Sequence, residues 1–111
     1  MTNLAEKIAQ ILEDRKAHDV KLIDVKDVTT VADYFVIATG NSTLQVRALC
    51  DLLEEDLEKD GIRPKHIEGR DDATWILMDY LDVVVHIFYY ETREQYTLEE
   101  MWTKASQLDA E

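Results

Sequence analysis

Acidic side chains are the residues of this sequence with the clearest capacity for chemistry. Asp79 and Asp82 stand on either side of a short connection between two apolar segments, residues 74–79 and 83–88. Metal-dependent nucleotidyl transfer needs two carboxylates on one strand face, which means i, i+2 spacing because side chains alternate along a strand. Two residues separate Asp79 from Asp82, and neither segment has a second acid at i+2. The spacing therefore does not match that chemistry.

The junction at residues 39–42 is the second place where chemistry is conceivable. Gly40 and Asn41 interrupt an apolar run, and Ser42 followed by Gln45 has the form of a capping box at a helix start. Backbone N–H groups at a helix N-terminus can hold a phosphate. The junction has a single glycine and no Lys-Ser/Thr pair, so it is not a P-loop. A capped helix start accounts for these residues, and phosphate binding is the alternative.

The histidines and the cysteine form no metal or nucleophile motif. His18, His66 and His86 lack a shared metal-ligand spacing, and no Gly-x-Ser-x-Gly or Cys/His pairing is present. His86 stands in the middle of a predicted strand, where we expect a hydrogen-bonded, half-buried histidine. Cys50 lies among apolar residues of a predicted helix, where packing is the expected role. We therefore predict no catalytic residue, no metal and no cofactor.

Charge and composition favour a protein that binds another protein. The sequence has 12 Lys and Arg against 24 Asp and Glu, a net charge of −12. Such a surface repels nucleic-acid phosphates and anionic membranes and attracts basic proteins, although acidity can also serve solubility alone. No apolar run approaches the roughly 20 residues of a membrane helix. The N-terminal residues lack a secretory pattern, and a single cysteine suits a reducing compartment. We expect a cytoplasmic protein.

Hydrophobic periodicity predicts one α/β domain over residues 1–111. Apolar residues at three- and four-residue spacing predict a helix near residues 4–16 and a longer one after Ser42, and one or two short helices should follow in the tail. The unbroken apolar run at residues 34–39 is typical of a central strand. The order α-β-β-α-β-β-β-α indicates a mixed sheet of about five strands packed with helices. The predicted strands are residues 20–25, 34–39, 65–67, 74–79 and 83–88.

Aromatic residues among acids form the candidate binding surface. Trp75 and Tyr80, followed by Tyr89 and Tyr90, surround the predicted hairpin with its two aspartates. This mixture is typical of a protein-interface anchor, although core packing explains each aromatic equally well. The long helix also ends in acids that oppose its macrodipole, which indicates either a function or a merely solvated face. These acids are Glu54, Glu55, Asp56, Glu58 and Asp60.

Motifs spread along the whole chain occur in one characteristic order and spacing. They are ADYFVIATGNS at residues 32–42 with Gln45 and Val46, Glu68-Gly69, Trp75, DYLDVVVHIF at residues 79–88, and Arg93, Tyr96, Leu98, Glu99 and Trp102. Together they resemble the ribosomal silencing factor family, also called the Iojap family.

The resemblance implies a fold similar to a reduced nucleotidyltransferase that lacks the metal site. It also implies binding to large-subunit ribosomal protein fourteen, where the protein would block joining of the small subunit and lower translation when nutrients are short. Members are often homodimers when free, and bacterial members are cytoplasmic. Two alternatives stay open. One is large-subunit assembly through the same contact, and the other is a nucleotide-binding or nucleotidyltransferase enzyme using residues 40–42 with Asp79 or Asp82.

We expect the partner-binding residues to come from the hairpin and the strand beside it. Alternation sends neighbouring strand residues to opposite faces, and the sequence does not reveal which face is outside. Leu81 departs from the family pattern, because many members have Gly at this turn position and Leu adopts φ > 0 only at a cost. The type of turn is therefore left open. The expected partner-binding residues are Glu68, Trp75, Asp79, Tyr80, Asp82 and His86.

Overall fold

A five-stranded mixed sheet carries helices on both of its faces. The computed structural model describes residues 3–27 and 29–109. In chain order the elements are α1 (Leu4–Asp14), β1 (His18–Asp24), β2 (Tyr34–Gly40), α2 (Thr43–Glu58), β3 (His66–Glu68), β4 (Trp75–Asp79), β5 (Val83–Tyr89), α3 (Tyr90–Arg93) and α4 (Leu98–Asp109). The strands lie in the order β1-β2-β5-β4-β3.

The parallel pair β2 and β5 forms the centre of the sheet. Val36 pairs with Val85 and Ala38 with Ile87, whereas the other neighbouring strands are antiparallel. Both central strands are buried along almost their whole length. Covering both faces of a strand requires apolar side chains on both, which explains the unbroken apolar runs in the sequence.

One face of the sheet, here called the helix-pair face, is covered by α1 and α2. Ile8 and Leu12 of α1 and Leu53 of α2 are fully buried in one cluster with Val36 and Val85. The cluster is almost entirely aliphatic, and such side chains stabilise a fold through the apolar area that they remove from water.

The opposite face, here called the α4 face, is covered by the last helix. Met101 and Ala105 of α4 pack on Phe35 and Phe88 of the central strands. Aromatic side chains dominate this layer, since Trp75, Tyr96 and Trp102 border the same cluster. The two faces of the sheet therefore differ in chemistry as well as in cover.

Side-chain caps fix the starts of α1 and α2, and the cap at Ser42 was predicted from the sequence. The Asn3 side chain accepts a hydrogen bond from the Glu6 amide at 2.8 Å, and the Ser42 hydroxyl accepts one from the Gln45 amide at 3.0 Å. The Gln45 side chain in turn accepts from the Asn41 amide at 2.7 Å, so the second half of this capping box reaches one residue further back than the usual pattern.

The predicted element order and the mixed five-stranded sheet are confirmed. The tail forms two helices, α3 and α4. β1 begins at His18, two residues before the predicted start, and its register against β2 shifts between His18 and Lys21. This irregularity breaks the alternation of side chains, which is why the pattern concealed the first residues of the strand. Within the described ranges, no helix has the length and apolar character that a membrane crossing needs.

The acids at the end of α2 have local partners. Asp56 pairs with Arg15 at 3.0 Å and with Lys59 at 3.6 Å, Glu58 pairs with Arg63 at 3.1 Å, and Asp60 pairs with Lys7 of α1. The hydrogen bond from Arg15 lowers the pKa of Asp56. These pairs tie α2 to α1 and to the following loop, so the opposed macrodipole has a structural explanation at these positions.

Candidate functional site

The β4–β5 hairpin ends in a tight turn that its own aspartate holds. The Tyr80 amide donates to the Val83 carbonyl at 2.9 Å, and the Leu81 amide donates to Asp79 Oδ1 at 2.8 Å. Leu81 has φ 72°, a left-handed conformation that usually requires glycine. The Leu81 side chain is 61% exposed and extends into solvent, where it does not clash with other residues. The turn thus keeps the glycine-type backbone without a glycine.

Alternation divides the six expected partner-binding residues between the two faces. Tyr80 enters the helix-pair cluster, where it is 5% exposed and burial raises the pKa of its hydroxyl. Asp82 is exposed in the turn, and its carbonyl accepts from the amides of Asp33 and Tyr34 at 2.8 and 3.1 Å. Asp79 is 5% exposed and is engaged by the turn amide. Their contribution to partner binding stays a prediction, and burial leaves Tyr80 and Asp79 little surface to offer.

The remaining three expected residues share the α4 face. Trp75 in β4 and His86 in β5 lie side by side, because Leu77 pairs with His86 and Trp75 with Phe88 in the antiparallel register. Glu68 of β3 pairs with Leu77 and so points to the same face. The structure therefore brings Glu68, Trp75 and His86 together.

A hydrogen bond fixes the orientation of the Trp75 ring. Trp75 Nε1 donates to His86 Nδ1 at 3.0 Å. His86 is fully buried, and burial lowers its pKa to about 3, so the imidazole is neutral at ordinary pH. Since an indole N–H only donates, Nδ1 must accept and the proton of the ring sits on Nε2. His86 offers no exposed atom to a partner and can act only by holding Trp75.

Aromatic rings support Trp75 on its other sides. Its ring stacks on Phe88 with centroids 5.2 Å apart and meets Tyr96 at 4.5 Å. Phe35 lies 4.7 Å from the His86 ring below. Rings packed in this way hold the indole rigidly, while its partial exposure leaves an edge for contact.

A small open groove, here called the Trp75 notch, lies between this indole and α4. It has a volume of about 240 Å³. Lys104 of α4 reaches across it: its Nζ is 3.2 Å from Glu68 Oε1 and 5.9 Å from the centroid of the Trp75 ring. The residues that line the notch are Trp75, Tyr96, Glu100, Thr103 and Lys104.

The junction at residues 39–42 uses its polar groups internally. Besides the capping bonds, Asn41 Nδ2 lies 2.9 Å from His18 Nε2, and Gln45 Nε2 donates to the Lys16 carbonyl at 3.2 Å. A Cβ on Gly40 would come within 2.8 Å of the Val46 side chain, so the glycine permits close packing of helix on strand. Nearby, Arg93 hydrogen-bonds to Thr39 and pairs with Asp19 at 3.4 Å. These contacts account for the junction as a capped helix start.

Comparison with known protein families shows where this chain belongs. A family model described as "Ribosomal silencing factor during starvation" matches residues 1–111. The chain belongs to this family. The resemblance seen in the sequence is therefore confirmed.

Relatives of the family span bacteria and organelles. The ribosomal silencing factor RsfS of Bacillus subtilis is 40% identical, over 91% of this chain and 86% of that protein. A mouse protein named mitochondrial assembly of ribosomal large subunit protein 1 is 33% identical over 91% of this chain, which covers 46% of its length. An X-ray structure of a Chromobacterium violaceum protein superposes with a TM-score of 0.79 at 30% identity, covering 91% of this chain and 88% of that one. The likeness of the ribosomal silencing factor fold to nucleotidyltransferases stays a prediction.

Metal-binding clusters, the cysteine and the Trp75 notch were the three features with a possible chemical role. Among the described residues, no group of three or more His, Cys, Asp or Glu side chains is placed to hold a metal ion. Cys50 is buried, and burial raises its thiol pKa to about 12, so the thiolate that would act as a nucleophile is disfavoured. The Trp75 notch, in contrast, presents a rigid aromatic edge, and aromatic side chains are enriched in protein interfaces.

Sequence reasoning missed the part that α4 takes in the site. Lys104 touches both Glu68 and Trp75, and Tyr96 forms a wall of the notch. Tyr96 was identified in the sequence as part of the ribosomal silencing factor motif, but the motif did not show that it packs against Trp75. Thr97 and Glu100 carry a readable signal, since they form a capping box at the start of α4 with amide bonds of 3.2 Å in both directions. Nothing in the spacing of Lys104 indicates its contacts across 36 residues of chain.

Proposed function

We propose that this protein is a ribosomal silencing factor that binds the large ribosomal subunit through its ribosomal protein fourteen. Bound there, its bulk occupies the space that the small subunit needs, so the two subunits do not join and translation falls when nutrients are short. Family membership supports the ribosomal role, and the relatives named above carry ribosomal silencing and large-subunit assembly in their names.

The observation that carries the proposal is the half-buried Trp75 indole, fixed by His86 and bordered by Glu68. A large aromatic side chain held in one orientation contacts a partner at low cost in conformational entropy. The surrounding net charge of −12 suits a basic protein surface of the kind that coats ribosomal RNA. Complementary charge mainly accelerates association, whereas the anchor sets how long the complex lasts.

Co-sedimentation with purified ribosomal subunits tests the proposal directly. We expect the protein to pellet with the large subunit and not with the small one, and to pellet less as salt rises, because surface charges are screened. Subunits mixed afterwards should give fewer joined ribosomes in a sucrose gradient. Failure to pellet with the large subunit at low salt would contradict the proposal.

Large-subunit assembly is the second candidate, favoured by the name of the mouse relative. It needs the same contact but a different consequence. A deletion strain grown in rich medium separates the two roles: accumulated large-subunit precursors indicate assembly, and normal subunits with excess translation during starvation indicate silencing.

Nucleotide binding at the α2 N-terminus is the third candidate and has little support in the geometry, since the junction satisfies its own polar groups. Calorimetry with nucleoside triphosphates and magnesium should give no heat of binding. A measurable heat that is lost in Ser42→Ala would favour this candidate.

We also propose that the free protein forms a homodimer and works in the cytoplasm, as bacterial members of the family do. Sedimentation equilibrium of the free protein tests the first point: a single species of monomer mass would contradict it. Fractionation of cells tests the second, where the protein should follow the ribosomes.

A further inference from the structure

A cation already occupies the Trp75 notch, and it comes from the protein itself. Lys104 Nζ lies 3.2 Å from Glu68 Oε1 and 5.9 Å from the centroid of the Trp75 ring. A carboxylate and the face of an indole are the two groups that most readily hold a cationic side chain. The chemistry of the notch is therefore that of a site for a basic residue.

Lys104 uses this site incompletely. The side chains of Lys104 and Glu68 are both 38% exposed, and a pair so open to water is only weakly stabilised. The other carboxylate oxygen, Glu68 Oε2, is buried and has no hydrogen-bond partner among the described residues. An ammonium group engages a carboxylate as a point charge, whereas a guanidinium donates two parallel hydrogen bonds to both oxygens. Arginine therefore matches Glu68 better than Lys104 does.

The walls of the notch suit a planar cation. Tyr96 meets the Trp75 ring at 4.5 Å and widens the aromatic surface on which a guanidinium can stack. Glu100 adds a carboxylate to the lining, and its bond with Thr97 at the start of α4 holds it in place. Glu68 lies outside the lining and contacts the notch through Lys104. The volume of about 240 Å³ is sufficient for a side chain.

We propose that the Trp75 notch binds an arginine side chain of a basic protein partner, and that Lys104 is an internal competitor which that arginine displaces. The inference rests on the function proposed above and specifies the chemistry of its central contact. It carries an unusual consequence: removing a positive charge from this acidic protein at Lys104 tightens binding by more than general electrostatics explains.

The first test compares Lys104→Met with Lys26→Met in binding to the large subunit. Lys26 is a matched control, because its Nζ also lies over an aromatic ring, 4.9 Å from the Tyr34 centroid, and beside a carboxylate, 3.6 Å from Asp24. Both variants change the net charge equally. We expect Lys104→Met to bind about threefold more tightly than Lys26→Met, the gain from one cation–π contact freed for the partner. Equal or weaker binding by Lys104→Met would overturn the proposal.

The second test probes the notch without a ribosome, by following the Trp75 indole N–H signal in NMR spectra. N-acetylarginine amide should shift this signal saturably in Lys104→Met, and more than N-acetyllysine amide does. Adding Glu68→Gln to that variant should weaken the arginine effect. Absence of a saturable shift in Lys104→Met contradicts the inference even if the protein binds the large subunit. A saturable shift in a protein that fails to pellet with ribosomes supports the arginine site and contradicts the proposed function.

Discussion

The two faces of the sheet differ in composition, and the partner contact proposed above lies on only one of them. The helix-pair face is an aliphatic layer in which Ile8, Leu12 and Leu53 are fully buried against the strands. The α4 face instead holds His86, Trp75 and Glu68 among aromatic rings. Of the four buried side-chain polar atoms that lack a hydrogen-bond partner in the described part of the chain, three lie on or beside the α4 face, at His86 Nε2, Glu68 Oε2 and Trp102 Nε1, and one, Tyr80 Oη, lies on the helix-pair face. Because unpaired polar atoms cost stability, we expect the α4 face to contribute less to stability than the helix-pair face.

The largest effect should come from the helix-pair face. Leu53→Ala is expected to lower the free energy of unfolding by about 3 kcal/mol, since it leaves a cavity in a packed aliphatic layer. Urea denaturation measures the change. Leu44→Ala in the same helix is the control, because Leu44 is 73% exposed and its removal should change stability by less than about 0.5 kcal/mol. If the folded Leu53→Ala protein lost affinity for the large subunit, the division between the faces would fail.

The opposite pattern is expected on the α4 face. Trp75→Ala should weaken binding to the large subunit by at least about 2 kcal/mol, roughly thirtyfold in Kd, because it removes the rigid anchor. Affinity is measured by titrated co-sedimentation, with the folded fraction checked by circular dichroism. Tyr90→Ala removes an aromatic ring that is 51% exposed outside the notch and should leave Kd nearly unchanged. Unaltered affinity in a folded Trp75→Ala protein would remove Trp75 from the proposed interface.

His86, which holds Trp75 in place, should also make the stability of the fold depend on pH. Burial lowers its folded-state pKa to about 3, below the roughly 6.5 of an unfolded histidine, so the unfolded chain takes up a proton first as pH falls. Its contribution to stability is complete above pH 6.5 and is lost progressively toward pH 3. Between pH 7 and 5, the stability of the wild type should fall by about 2 kcal/mol more than that of His86→Leu.

Denaturation of both proteins across this pH range checks the histidine prediction. Subtracting the profile of the variant from that of the wild type removes the contribution of carboxylates that both proteins share, such as Asp56. His66→Leu, which removes an exposed histidine instead of a buried one, is the control variant. Parallel pH profiles for wild type and His86→Leu would mean that His86 is accessible to protons in the folded protein.

The smallest expected effect lies in the turn that joins β4 to β5. Leu81 has φ 72°, and Leu81→Gly should raise the free energy of unfolding by about 0.5 kcal/mol, because relief of the left-handed strain exceeds the added flexibility of glycine. Thermal denaturation detects a change of this size. Leu81→Ala keeps a Cβ and should give no gain. A similar gain in both variants would show that exposure of the leucine side chain, and not its backbone, carries the cost.

Most of the fold could be predicted from the sequence, because local signals agree with the secondary structure that each segment adopts. The unbroken run at residues 34–39 and the caps at Asn3 and Ser42 each specify their structure within a few residues. The start of β1 was not legible, since a register irregularity breaks the alternation there. The left-handed backbone at Leu81 was left open, because its support comes from Asp79, two residues away.

Only part of the candidate site could be predicted from the sequence, because the site depends on packing between elements that are distant in the chain. Alternation sends neighbouring residues of a strand to opposite faces, but it could not show that Trp75 and His86 share a face or that Tyr80 would be buried under the helices. The contact between Glu68 and Lys104 depends on the direction in which α4 crosses the sheet. No short sequence pattern specifies that direction. Acidic residues at the end of α2 were similarly ambiguous until Arg15 and Lys7 of α1 supplied their partners.

The central strand pairing also bears on how the chain is made. β2 ends at Gly40, but its parallel neighbour β5 is not complete until Tyr89. During synthesis, β2 therefore leaves the exit tunnel with the backbone N–H and C=O groups of one edge unpaired. Non-local parallel pairing forms slowly, and exposed strand edges favour aggregation. A protein proposed to act on ribosomes thus completes its own central sheet only after β5 has been synthesised.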